Sequence, residues 1–260
     1  QIKNAIFNRN NTQYNQNKIM IPPYAAKLPP ASPVGNNLPR GSFILVEGVD
    51  RCGKTTQCSL LLSHLLSISV AATSLRFPDR TTAIGKTINS YLSLSSDLDD
   101  HAIHLLFGAN RWERSSYISD TLRGGSSIIC DRYAYSGVAF TAAKGIPGLD
   151  IPWCKSCDRG LPAPDAVIFL DLKQDEAEKR GGYGGERYET RDMQVKVRRI
   201  FDNLRFEDEG RIPWHVVDAS GSVEDVQEKL RPIVLDTLNR VKIENLPLMK
   251  LWDEGIYDLN

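Results

Sequence analysis

The fold is decided by residues 42–55, which read SFILVEGVDRCGKT. Residues 42–46 form a short apolar run typical of a buried strand, and residues 48–55 match the spacing G-x-x-x-x-G-K-[ST]. Glycines allow backbone N–H groups to converge on phosphate oxygens, and the N-terminus of the following helix adds positive potential. The stretch therefore predicts a phosphate-binding loop, in which Lys54 reaches the terminal phosphates and the Thr55 hydroxyl ligates Mg²⁺.

The rest of the chain alternates short apolar runs with longer amphipathic ones. Short runs flanked by turn residues or charges predict strands at 42–46, 70–75, 126–130, 166–170 and 214–217. Apolar residues at helical spacing predict helices at 54–66, 83–92, 101–122, 134–144, 175–180, 193–206 and 223–241. This alternation predicts an α/β fold, a parallel sheet of about five strands with helices on both faces.

The composition bounds the class of function. The 260 residues are 41% apolar, enough for a sizeable core, and their formal net charge is zero. Because there is no electrostatic excess for polyanions or anionic lipid, we expect neither nucleic-acid nor membrane partners. No apolar run reaches the roughly 18 residues of a membrane span. Five cysteines, an odd number, indicate a reducing compartment, cytoplasmic or nuclear, and no secretory signal is visible.

Residues 1–40 differ in composition from the rest of the chain. They are rich in Asn, Gln and Pro and contain five basic residues but no acidic one. Such a segment buries little apolar surface, which predicts a disordered tail, with a mitochondrial transit peptide as the alternative. We expect residues 41–260 to form a single domain. Because the first residue is Gln1, we expect the natural start to lie upstream.

The phosphate loop alone does not choose between GTPases, motor ATPases, kinases and proteins that only bind nucleotide. A regulatory GTPase also needs an Asn-Lys-x-Asp segment, which the chain lacks. Phe107 and Arg111 lie four apart on one face of a predicted helix, where the ring could stack on a base. Arg80 follows one strand end, and Asp131 and Arg132 follow another, as phosphate and magnesium ligands would. The competing interpretations are a core aromatic, solvated arginines and an Asp131–Arg132 ion pair.

Six separated blocks make the chain recognisable. They read EGVDRCGKTT at 47–56, LRFPDR at 75–80, DHAIHLLFGANRWE at 100–113, DRYAYSGVAF at 131–140, RGGYGGERYE at 180–189 and VDAS at 217–220. In this order they resemble the thymidylate kinases, particularly the eukaryotic type, across residues 40–252. The resemblance implies the nucleoside monophosphate kinase variant of the P-loop NTPase fold, with a small lid near residues 180–192. It also implies Mg²⁺-dependent transfer of the γ-phosphoryl group of ATP to dTMP, giving dTDP and ADP in dTTP biosynthesis, by a homodimer.

The resemblance assigns a role to each candidate residue. The catalytic set is Arg51, Lys54, Asp131 and Arg132. Arg51 would stabilise the transferring phosphoryl group and make Arg187 in the lid less critical. The ATP-binding set is Gly48, Val49, Asp50, Arg51, Cys52, Gly53, Lys54, Thr55, Thr56 and Arg180. The substrate-binding set is Asp50, Phe77, Arg80, Phe107, Arg111, Arg132, Ser136, Gly137, Phe140 and Tyr188. Mg²⁺ would be held by Thr55 and, through a water, by Asp131.

Two other functions stay open at this point: a kinase for another nucleoside monophosphate or small acceptor, and a catalytically silent nucleotide-binding protein. Thymine differs from uracil by one methyl group, worth about 1 kcal/mol in a pocket, so the sequence does not fix the preference for dTMP over dUMP. Four arginines that converge on an empty dry pocket would repel one another, which favours phosphate-bearing ligands.

The cysteines give two further expectations. The segment WCKSC at 153–157 lies among Gly148, Pro152 and Gly160 and predicts a loop with plain cysteines rather than a redox or zinc motif. Cys52 stands where the family usually has serine or a small apolar residue. The neighbouring helix N-terminus and cationic side chains lead to the hypothesis that its thiolate is favoured, and that alkylating it impairs ATP binding.

Overall fold

A computed structural model of the chain describes residues 39–180 and 185–253. Within these residues, five parallel strands form one sheet in the order β2-β3-β1-β4-β5. The strands are β1 Phe43–Glu47, β2 Ala72–Arg76, β3 Ser127–Asp131, β4 Ala166–Asp171 and β5 Trp214–Asp218. The α/β fold with a five-stranded parallel sheet is confirmed.

Helices join the strands and cover both faces of the sheet. They are α1 Lys54–Ser67, α2 Ala83–Leu92, α3 Asp100–Trp112, α4 Ser115–Arg123, α5 Ala134–Ala142, α6 Ile151–Ser156, α7 Gln174–Lys179, α8 Arg191–Glu207 and α9 Val223–Ile243. None of these described helices is long and apolar enough to cross a membrane. The predicted tail or leader at 1–40 falls almost wholly outside the described residues.

The central strand β1 explains why the helices lie on two sides. Its residues alternate between two hydrophobic clusters, with Phe43 and Leu45 in one and Ile44 and Val46 in the other. Successive side chains of a strand point to opposite faces, so a strand that is apolar throughout needs cover on both. β1 pairs with β3 on one side and β4 on the other, which puts a ligand crevice beyond the carboxyl end of β1.

Two predicted elements were wrong. The helix predicted at 101–122 is divided into α3 and α4 by a turn at residues 113–114, where the Arg114 guanidinium bonds Asp79 in the β2–α2 connection at 2.9 Å. The loop predicted at 153–157 belongs largely to α6. Asp150 caps that helix by accepting a hydrogen bond from the Trp153 N–H, and Pro152 suits the first turn.

Candidate active site

The phosphate loop joins β1 to α1 through backbone shapes that favour glycine. Gly48 has φ of 145°, and a Cβ there would lie 2.7 Å from the Leu170 carbonyl oxygen. Arg51 also has positive φ, 62°, a strained conformation for a residue with a side chain. The Lys54 ammonium lies over the loop and donates to the carbonyl oxygens of Gly48 at 3.1 Å and Val49 at 2.6 Å. The loop is therefore formed around the Lys54 cation.

Two oxygen ligands suitable for a magnesium ion meet beside this loop. The Thr55 hydroxyl donates to the Asp131 carboxylate at 2.6 Å. Asp131 ends β3 and pairs in register with Val46 of β1. Sheet formation therefore brings Asp131 beside the phosphate loop that follows β1 and precedes Thr55. Hydroxyl and carboxylate oxygens suit a hard cation such as Mg²⁺. No cluster of three or more His, Cys, Asp or Glu ligands occurs in the described ranges.

Arg132 lies at the junction of the site, in a positive-φ conformation of 67°. Its guanidinium bonds the Asp50 carboxylate, the Gly48 carbonyl oxygen at 3.2 Å and the Ser136 hydroxyl at 3.0 Å. Burial lowers the pKa of Arg132, but the carboxylates of Asp50 and Glu47 outweigh it and the pKa is raised. The alternative Asp131–Arg132 ion pair is wrong, because the carboxylate bound to Arg132 belongs to Asp50.

The predicted base slot is formed by α3, α5 and the end of β2. Phe107 is half-buried on α3, one turn before the buried Arg111, and Phe77 is buried just after β2. On α5, the Phe140 ring centroid lies 5.1 Å from the Arg132 guanidinium carbon. The Phe140 and Tyr188 ring centroids are 5.6 Å apart. Aromatic rings and guanidinium groups therefore lie together, as base recognition requires.

Arg180 lies at the opposite end of the phosphate loop. It donates to the Arg51 carbonyl oxygen at 3.0 Å and to the Ala219 carbonyl oxygen at 2.9 Å. A Cβ on Gly53 would lie 3.5 Å from the Arg180 guanidinium, so this side chain covers the start of α1. This is the end at which the resemblance places adenine.

One cavity of about 750 Å³ connects these parts. The phosphate loop, the base slot and Arg180 all line it. The predicted residues on its wall are Asp50, Arg51, Cys52, Gly53, Lys54, Thr55, Thr56, Phe77, Arg80, Phe107, Arg111, Asp131, Arg132, Ser136, Gly137, Phe140, Arg180 and Tyr188. Of the predicted set, Gly48 and Val49 do not line the cavity and instead hold Lys54 through their carbonyl oxygens.

Carboxylates that the sequence analysis did not assign neutralise the arginines. Arg51 pairs with Glu189 at 2.9 Å, Arg80 with Glu186 at 2.8 Å and Arg111 with Asp158 at 2.6 Å. The expectation that convergent arginines need ligand charge was therefore wrong, because the chain supplies its own anions. Glu186 and Glu189 belong to the quoted block at 180–189, whereas nothing local to Asp158 signals its partner 47 positions away.

Two further buried polar residues support the site. Glu47 accepts hydrogen bonds from the backbone of Tyr133 at 3.0 Å and the hydroxyl of Ser136 at 2.6 Å, and burial raises its pKa. Gln194 of α8 accepts from the Asp50 N–H at 2.9 Å and donates to the Asp50 carboxylate at 2.7 Å. Gln194 lies in the helix predicted at 193–206, and Glu47 directly follows the strand predicted at 42–46, but their partners are distant in sequence and were not predictable from it.

Arg187 points away from the cavity. Its guanidinium lies 3.1 Å from the Asp97 carboxylate, donates to the carbonyl oxygens of Tyr91 and Ser96, and stacks 4.0 Å from the Tyr91 ring centroid. Arg187 is thus bound near the end of α2, and its minor role stays a prediction. Residues 181–184 of the predicted lid lie outside the described residues.

Known proteins similar to this chain share one description. A family model described as "Thymidylate kinase" matches residues 46–230. The thymidylate kinase of Schizosaccharomyces pombe is 52% identical over 197 residues, covering 75% of this chain and 92% of that protein. That of Homo sapiens is 47% identical over 213 residues, covering 82% and 98%. A solved structure of thymidylate kinase from Candida albicans superposes with a TM-score of 0.70 at 40% identity, covering 78% of this chain and 95% of that one.

Proposed function

The chain belongs to the thymidylate kinase family, and from this premise we infer that it transfers the γ-phosphoryl group of ATP to dTMP, giving dTDP and ADP in dTTP biosynthesis. One observation carries the assignment to particular residues. A single cavity holds a phosphate loop at one end and an aromatic slot with Arg111 at the other, with Arg132 between them. Two phosphate-bearing ligands bound at these ends would meet at Arg132.

The residues at the junction position and neutralise rather than form a covalent intermediate. A phosphate oxygen of dTMP attacks the γ-phosphorus, and the bond from that phosphorus to the β,γ-bridging oxygen of ATP breaks, so ADP leaves with the bridging oxygen. The acceptor oxygen is already anionic, so no general base is needed. Lys54, Arg51 and Arg132 place preorganised positive charge around the group in transfer, where negative charge moves.

Thr55 and Asp131 are the residues that would hold Mg²⁺. Their 2.6 Å contact gives a hydroxyl and a carboxylate oxygen at the phosphate side of the cavity. When bound there, the metal supplies charge neutralisation to the β- and γ-phosphates. Asp131 is buried, and Arg76 lies 3.6 Å from its carboxylate, so the carboxylate stays oriented toward Thr55.

A monophosphate panel tests the function. ADP release would be measured with dTMP, dUMP, dCMP, dGMP and AMP as acceptors. We expect dTMP to give the highest kcat/KM, with dUMP lower by up to about tenfold for the missing methyl group. The panel is broad because the thymidylate kinase of Candida albicans has broad substrate specificity. ADP release with another acceptor but not with dTMP would favour a different monophosphate kinase, and none with any acceptor would favour a silent protein.

We also propose that the protein is a homodimer through α3. Leu105 is 50% exposed and Trp112 is 41% exposed on this helix. They lie seven residues apart, so they share one helix face, and neighbouring exposed apolar residues mark interaction surfaces. Light scattering should give twice the chain mass of 29.1 kDa, and Leu105→Glu should lower it to one chain.

The compartment depends on residues 1–40 and stays a prediction.

A further inference from the structure

The turn after α6 carries a buried carboxylate whose role the proposed reaction has not used. Asp158 has no solvent exposure, and it directly follows the WCKSC segment, for which no function was predicted. Its two oxygens accept from Arg111 of α3, from Nε at 2.8 Å and from Nη2 at 2.6 Å. Arg111 itself is only 2% exposed. The ion pair is bidentate, a geometry that fixes the plane of the guanidinium as well as its position.

A glycine on α3 allows Asp158 to reach this position. Gly108 lies one helical turn before Arg111, and a Cβ there would be 2.8 Å from the Cys157 sulfur. Trp112 then holds the same turn by donating from Nε1 to the Cys157 carbonyl oxygen at 2.7 Å. The turn therefore rests directly on α3, so that the carboxylate of the next residue meets Arg111.

The opposite side of the guanidinium rests on α5. A Cβ on Gly137 would lie 2.7 Å from Nη2 and 2.9 Å from Nη1 of Arg111, so a larger residue there would displace the guanidinium. Arg111 lines the cavity, and no acceptor for Nη1 is found in the part of the chain that the structure describes. Asp158 and Gly137 thus hold the group between them, with one nitrogen left to donate to a ligand.

We propose that Asp158 is a positioning residue that fixes Arg111 for recognition of the nucleoside monophosphate. An exposed arginine would lose rotamer freedom on each binding event, whereas a side chain already held in place avoids that loss. Asp158 also compensates the charge of a guanidinium that is buried away from water. The proposal rests on the inferred dTMP kinase reaction and deepens it, because it assigns the acceptor end of the cavity a supporting residue.

The test compares two aspartates that each form a two-point pair with an arginine. Asp165 binds Arg40 at 2.6 Å and 2.8 Å and does not line the cavity, so Asp165→Asn is the matched control. We expect Asp158→Asn to raise KM for dTMP by about tenfold or more while leaving KM for ATP within about twofold. Asp165→Asn should leave both KM values near those of the wild type.

A double-mutant cycle separates positioning from general support. In an Arg111→Met background, Asp158→Asn should raise KM for dTMP no further, because its effect acts through Arg111. If Asp158→Asn fails to fold, Asp158→Glu decides, since it keeps the charge but displaces the carboxylate. It should raise KM for dTMP in protein that thermal unfolding shows to be folded at the assay temperature. An unchanged KM for dTMP in the folded Asp158 variant, or an equal further rise in the Arg111→Met background, would overturn the proposal. Wild-type protein inactive on dTMP would instead refute the proposed function.

Discussion

Lys54 and Phe107 act at opposite ends of the cavity, so their substitutions should have separable effects. Lys54→Ala removes the cation held over the phosphate loop, and we expect kcat to fall by about 10² or more. Phe107→Ala removes the ring of the base slot and should raise KM for dTMP by about tenfold while sparing KM for ATP. Steady-state kinetics with each substrate varied would measure both effects.

A second phenylalanine provides the control for Phe107. Phe206 is 76% exposed and lies outside the cavity, so Phe206→Ala should leave both KM values unchanged. If Phe107→Ala damaged the two KM values equally, the ring would not be the base platform.

Cys52 is the cysteine that the structure places on the cavity wall. Burial raises the pKa of Cys154 and Cys157 to about 12 and that of Cys58 and Cys130 well above the ordinary thiol value. These four thiols should therefore react slowly at neutral pH. The Cys52 sulfur lies 3.5 Å from the Lys54 ammonium, and Cys52 lines the cavity although only 2% of the residue is exposed.

We expect iodoacetamide to modify Cys52 first, to inactivate the protein, and to act more slowly when ATP is present. Peptide mass spectrometry would measure the modified fraction of Cys52, which would be compared with the residual activity at each time point. Cys52→Ser is the resistant control. Full activity after confirmed modification of Cys52 would refute the hypothesis.

The segment from Gly185 to the start of α8 places one carboxylate on each of two arginines that line the cavity. Glu186 binds Arg80, and Glu189 binds Arg51. Glu189 also accepts from the Gly185 N–H at 2.9 Å, so the lid backbone and Arg51 share one anion. Phosphate groups would compete with both carboxylates for these arginines. We therefore expect ligand binding to change the contacts of this segment.

The two arginines of this region should differ in importance. Arg51→Ala removes a guanidinium that lines the cavity, and we expect kcat to fall by about 10² or more. Arg187→Ala removes one bound to the end of α2, and we expect kcat to stay within about threefold of the wild type. Single-turnover phosphoryl transfer would measure the chemical step directly. A larger loss for Arg187→Ala than for Arg51→Ala would show that the lid supplies the catalytic cation.

At the scale of the whole molecule, a buried histidine links helices α3, α5 and α6. His104 Nε2 lies 2.9 Å from the Cys154 carbonyl oxygen, and Nδ1 lies 2.8 Å from the Thr141 hydroxyl. A carbonyl oxygen only accepts, so Nε2 carries the proton of the neutral ring. Burial is the main cause that lowers the pKa of His104, and the nearby charge of Arg111 adds to it.

This lowered pKa gives a direction for stability against pH. Below about pH 6.5 the unfolded chain binds a proton that the folded His104 resists, so the free energy of unfolding falls as pH falls. Tm should therefore drop between about pH 7.5 and about pH 5.5, and should drop less in His104→Gln. Calorimetry across this range would measure it. An identical drop in the variant would assign the effect to other groups such as His215, whose pKa burial also lowers.

Local rules were enough for most of the secondary structure. The continuous apolar run of β1 and the glycine spacing of residues 48–55 depend on neighbours in sequence, so strand, loop and α1 were predictable. The split at Arg114 was not, because Asp79, which binds Arg114, lies 35 residues away. Helix α6 was missed because Pro152 was interpreted as a loop residue, although Pro152 and the Asp150 cap are local signals that suit the first turn of a helix.

The sequence by itself determined the α/β order, the phosphate loop and the identity of the arginines that gather at the site. Only the tertiary structure decided which anion each arginine meets: Asp50 for Arg132, Asp158 for Arg111 and Glu189 for Arg51. The physical reason is range. Backbone hydrogen bonding and apolar periodicity act over a few residues, whereas an ion pair between distant segments depends on how the packed helices meet, as the close approach at Gly108 illustrates.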